Sequence, residues 1–141
     1  MIRSIHVSIA LMLIFLCSVS HSQEKAKEAP EDHTMKASAV KELNEFHELL
    51  HPLVHEAYPN KDFAAIKKAL PELIESGTLL KKATLPKELV SKKKAFMTEA
   101  KKLMKQLTEM NRKKDTISDE ALGKKFMEMH TTFEKMMDMS H

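Results

Sequence analysis

VKELNEFHELLHPLVHEA, residues 40–57, is the stretch on which the reading of this chain turns. Val40, Leu43, Phe46, Leu50, Val54 and Ala57 recur at steps of three and four. That spacing gathers them on one face of a helix, and a strand has no use for it. The same stretch sets His47, His51 and His55 four apart beside the apolar face. Measured from Leu50 at about 100° per residue, they stand about 60°, 100° and 140° away. His47 is therefore expected at the core edge, His51 on the boundary and His55 close to solvent. Pro52 lies among them. It lacks an N–H and crowds the preceding turn, so a kink is expected there, with the Glu48 carbonyl left without its donor. The helix is expected over 34–58, ended by Pro59 and Asn60.

Three further helical segments follow from the same periodicity. The second is expected over 61–82, with Asn60 as N-cap, Asp62 in its first turn and Phe63, Ile66, Leu70, Leu73, Ile74 and Leu80 as its face. Pro71 and Gly77 weaken it and predict a bend or an early stop. The third opens at Leu85 and Pro86, where proline is tolerated, and carries Leu89, Phe96, Ala100, Leu103, Leu107 and Met110 to about Asn111. The fourth takes Ser118 as N-cap, with Asp119 and Glu120 in its first turn and Leu122, Phe126, Met129, Phe133 and Met136 as its stripe. No stretch alternates as a strand would, and there is no solenoid repeat. Four segments of matched length with short connections predict an all-α fold, an antiparallel up-down-up-down four-helix bundle over 34–141.

The first 22 residues are of another kind. Arg3 is their single charge, Ile9 to Cys17 is apolar, and Ser18 to Ser22 is mostly small. This is the layout of a cleavable secretory signal, cut after Ser20 or Ser22. The apolar run is short for a membrane span, which needs roughly 20 residues. Leu16 stands where a lipoprotein signal wants a small residue, which argues against lipid on Cys17. Residues 23–33 are polar without an apolar stripe and are expected to form a disordered leader. The chain is thus expected to be periplasmic or secreted, with no membrane span after cleavage.

Cys17 is the only cysteine, so the mature chain has no disulfide, thiol nucleophile or thiolate metal site. Removing Arg3 with the signal leaves 22 Lys+Arg against 20 Asp+Glu. That balance, with lysines spread over outer helix faces, leaves no clustered basic footprint for nucleic acid.

The histidines and methionines carry the chemistry. Two imidazoles at i and i+4 can share one metal ion, as in helical zinc sites. In the expected bundle the first and last helices are antiparallel neighbours, which brings His130 level with Leu43 to His47, again at a core edge. His47, His51 and His130 could then converge, with Glu134 one turn on as an oxygen ligand. Histidine with carboxylate suits Zn, Ni or Cu(II). A second, weaker set lies at the other end of the same pair, where His33 and Met35 would face Met137, Met139 and His141; thioether with imidazole suits Cu(I). Against both stand plain alternatives: helical histidines are commonly boundary residues, and methionine on a helix stripe is commonly core filling.

The run Phe46 to His51 is similar to the opening helix of periplasmic heavy-metal resistance and sensor domains. That resemblance implies a His-x-x-x-His pair at His47 and His51, a later-helix histidine at His130, and Ni, Co, Zn or Cu as the ion. The layout also resembles the periplasmic four-helix cytochromes of the c′ and b types. Phe126 to His130 holds the histidine but neither cysteine of the c-type attachment motif, which excludes covalent haem. The b-type pattern would fall on Met35 and His130. These stand about ten residues apart in level, roughly 15 Å, too far for two axial ligands.

The leading expectation is an exported metal-binding bundle acting as carrier, buffer or sensor. The alternatives are a ligand-free structural or interaction bundle, and non-covalent haem-linked electron transfer. The expected partner is the metal ion, with a homodimer as one assembly to test. His47, Glu48 and His51 also satisfy His-Glu-x-x-His, the zinc-protease pattern. Pro52 directly after it, the short chain and the lack of a strand to hold a peptide argue against an enzyme.

Overall fold

In a computed structural model the chain is described over residues 37–141. The expected signal, the polar leader, His33, Thr34 and Met35 lie outside the described residues. The described residues form four α-helices and no strand. They are α1 (Lys41–Pro52), α2 (Phe63–Leu80), α3 (Lys93–Lys113) and α4 (Asp119–Met139). A π-helical turn, Leu53–Ala57, continues α1, and a 3-10 turn, Lys87–Lys92, leads into α3. No described helix is long and apolar enough to cross a membrane.

Helix α1 starts later than its periodicity suggests. Val40 has no capping side chain, and the start is held instead by a clasp across six residues. Ser38 N–H donates to Asn44 Oδ1 at 2.8 Å, Asn44 Nδ2 donates to the Ser38 carbonyl at 2.9 Å, and Ser38 Oγ accepts the Val40 N–H at 2.9 Å. These bonds satisfy groups that a helix start leaves orphaned.

At Pro52 the expected disturbance takes a definite form. The Tyr58 N–H reaches the Leu53 carbonyl at 2.9 Å and the Asp62 N–H reaches that of Ala57 at 2.8 Å, both five residues back. A π turn of this kind absorbs the hydrogen-bond gap a proline opens. Lys61, in the left-handed region at φ 57°, ends the segment. Asp62, not Asn60, then caps α2, accepting the Ala65 N–H at 3.0 Å. Pro71 and Gly77 do not stop α2 before Leu80. Ser118 caps α4 as expected, accepting the Ala121 N–H at 3.3 Å.

The core is one cluster built around Phe46, Phe96, Phe126 and Phe133, all essentially sealed from solvent, with leucines from every helix. Each helix packs on its successor. Helix α4 also meets α1 through Phe46 and Phe133, whose ring centroids are 5.4 Å apart. Gly123 allows a close approach in this region: a Cβ there would stand 2.9 Å from Phe63 Cε1 and 3.1 Å from Tyr58 Cε2. Ring atoms cannot swing aside as a flexible chain end can, so only glycine fits without a shift.

Candidate functional site

His47, His51 and His130, the histidines expected to converge, lie along the edge where α1 meets α4. His47 is half-buried and its ring lies parallel to that of Phe133, with centroids 5.7 Å apart and planes 11° from coplanar. Stacking on a sealed phenylalanine fixes this imidazole's orientation. His51 follows one turn on, exposed, its ring edge-on to His47 at 5.6 Å. From α4, His130 brings a side chain that is only 14% exposed, with Glu134 Oε1 3.7 Å from its Nδ1. The periodicity argument therefore placed His47 and His130 correctly at the core edge.

His55 is exposed, as its angle from Leu50 predicted. Its ring lies 4.4 Å from that of His51, closer than His51 is to His47. Side chains four residues apart on a helix stand one above the other, so the three imidazoles form a row that runs from the core edge into solvent.

The electrostatics tie the four rings together. Burial pushes His47 below the ordinary imidazole pKa, and the charges of His51, His55 and His130 add to the depression while Glu48 opposes it. Burial also lowers His130, against the pull of the Glu134 carboxylate, and His55 lowers it further. Both core-edge imidazoles are thus biased toward the neutral form, which presents a lone pair to a metal ion.

As the side chains stand, no three His, Cys, Asp or Glu groups among the described residues are gathered closely enough to hold a metal ion. His47 and His130 are constrained by packing, whereas His51 and His55 are exposed and can change rotamer. Any closure onto an ion must come from these two. Glu48, the carboxylate of the His-Glu-x-x-His run, is exposed.

The second set fares differently. Met137 is 3% exposed and belongs to the core, so its thioether is spent on packing. Met139 packs partly buried against that core and His141 is exposed at the chain end. Lys92 Nζ donates to the Met139 and His141 carbonyls at 3.1 and 3.2 Å. The described part of this set therefore offers one thioether and one imidazole.

Compared with known protein families, characterised proteins and solved structures, the chain matches none.

Proposed function

We propose that this chain is an exported four-helix bundle that binds a borderline transition ion, Zn, Ni or Cu(II), at the α1–α4 edge, as a carrier, buffer or sensor. The observation that carries this reading is that imidazoles of two helices border one edge of the core, His47 stacked on Phe133 of α4 with His51 one turn on, and His130 on α4 itself. Burial biases two of them toward the ligating form, and Glu134 stands beside His130. Nitrogen with carboxylate, and no sulfur among these groups, favours borderline ions over Cu(I). The second, thioether-containing set remains a weaker candidate for Cu(I).

The contacts support an antiparallel bundle. From Phe46 to Tyr58 the chain advances, while its ring partners on α4 retreat from Phe133 to Phe126. Along α3 the order is again reversed: Lys92 meets Met139, and Glu109 lies 3.7 Å from Lys125. The leader 1–22 supports export, to the periplasm or the outside. A ligand-free scaffold and a haem-binding bundle are the competing readings. Against haem, the seam between α1 and α4 is filled by sealed rings, Phe46 packed on Phe133, with Phe126 packed on Tyr58.

The test is a titration of the purified chain with Zn(II), Ni(II) and Cu(II), read by calorimetry and thermal melts. Saturable binding is expected, with stabilisation of about 2.7 kcal/mol when free ion exceeds Kd a hundredfold. The His47→Ala/His51→Ala double variant should lose it. Melts that no ion shifts would leave the scaffold reading, and a haem absorption band on reconstitution would favour the third.

A further inference from the structure

We propose that residues 79–94, at the end of the bundle where α2 passes into α3, seat the chain on an anionic lipid surface. The inference goes beyond the metal-binding reading and does not depend on it. The near-balance of charge over the whole chain hides a division. From Lys81 to Lys114, twelve basic side chains stand against three carboxylates, Glu88, Glu99 and Glu109. The other described residues hold seven basic side chains against thirteen acidic ones. The excess is densest in the α2–α3 connection. Lys81, Lys82, Lys87, Lys92, Lys93 and Lys94 are all exposed there, with Glu88 the single acid among them. Lys92 is taken up by the carbonyls of Met139 and His141, and the other five form no ion pair with a described residue.

The same stretch carries the only large apolar side chains exposed among the described residues, Leu79 at 54% and Val90 at 56%. Each stands next to a buried leucine, Leu80 or Leu89, so the core is already filled and neither is drawn into it. One exposed leucine is ordinary. Two apolar tips at one end of a bundle, ringed by lysines, have the chemistry of a lipid contact. The ammonium groups meet the headgroup phosphates, and the apolar tips reach the acyl boundary beneath them. A nucleic acid would use the lysines and leave Leu79 and Val90 in water. The acidic remainder of the chain is repelled by the same surface, which orients the basic end toward it.

The experiment is co-sedimentation of the purified chain with phosphatidylcholine vesicles, with and without phosphatidylglycerol. Binding is expected only with the anionic lipid and should weaken as salt is added. Lys82→Ala/Lys93→Ala should weaken it about thirtyfold, each lysine near such a surface contributing about a factor of five. Leu79→Ser/Val90→Ser should weaken it by at least about tenfold. Lys68→Ala/Lys124→Ala removes as much charge toward the starts of α2 and α4 and should leave binding unchanged. All six positions are exposed, so Tm should stay near that of the parent. Val90→Trp gives the chain a single tryptophan, whose emission should shift to the blue on anionic vesicles alone. A parent that does not bind anionic vesicles overturns the proposal. So does an equal loss in Lys68→Ala/Lys124→Ala, which would make the attraction one of net charge only. Parent affinity in Leu79→Ser/Val90→Ser with no blue shift overturns it too, as does tighter binding to a short DNA duplex than to the vesicles at the same salt.

Discussion

Pro52 and Pro71 each interrupt the ladder of a helix, and the two helices respond in opposite ways. Around Pro71, α2 stays α-helical from Phe63 to Leu80. Around Pro52, α1 gives way to a π turn. The difference lies in what each side of the proline buries. Ile66, Leu70, Leu73 and Leu80 are all 0% exposed, so both halves of α2 are clamped by the core. Beyond Pro52 the anchors are Leu53 and Ala57, at 8% and 9%, while His51, His55 and Glu56 face outward. Where packing grips both flanks, the backbone tolerates a missing hydrogen bond. Where it grips one, the chain relaxes into a wider turn and its side chains are redirected.

The contrast can be broken most severely at its packed edge. Phe133→Ala removes a sealed ring that meets both Phe46 and His47. A loss of about 3–5 kcal/mol is expected in urea denaturation. A cost under about 1 kcal/mol would mean that the edge is looser than its burial implies.

The prolines come next. Pro71→Ala should stabilise the chain by roughly 2 kcal/mol, the helical cost of proline less the entropy returned to the unfolded state. Pro52→Ala should yield a visibly smaller gain, because the π turn has already relieved the conflict there. Equal gains would show that burial is not what separates the two sites.

Lys61, which closes the π segment at φ 57°, gives a smaller effect. Lys61→Gly should stabilise by about 1 kcal/mol by removing a left-handed side chain. Unchanged stability would place no strain in that turn.

The gentlest probe is pH. His47 and His130 titrate below the ordinary imidazole value, so between that value and their own the unfolded chain binds more protons than the folded one. Stability contributed by the neutral rings is therefore complete above about pH 6.5 and is lost as pH falls through the folded values. Melts from pH 7.5 to 5 should show Tm declining, with a shallower decline in His130→Gln. A Tm that rose on acidification would contradict the burial of both rings.

Much of this architecture was legible in residue spacing. Ser118 with Asp119 and Glu120 marked the start of α4, and the stripes of all four helices named most of the buried residues, because a sealed core imposes helical period directly. The core-edge places of His47 and His130 followed from the same angles. What escaped depended on partners distant in the chain or on backbone adjustments. The Ser38–Asn44 clasp delays α1, Asp62 displaces Asn60 as cap, and Met137, read as a thioether of the second metal set, is buried by tertiary packing. The π turn escaped because angular reckoning assumes one pitch throughout, and the pitch changes at Pro52.

Tyr58 directly follows the π turn and packs against Phe63 and Phe126. It is also the only tyrosine in a chain without tryptophan. The molecule therefore carries a single native fluorophore next to its least regular backbone. Emission near 300 nm (roughly where tyrosine emits when no indole competes for the excitation energy) reports on that one spot without labelling. Local opening of the turn becomes separable, by optical means alone, from cooperative loss of the whole domain.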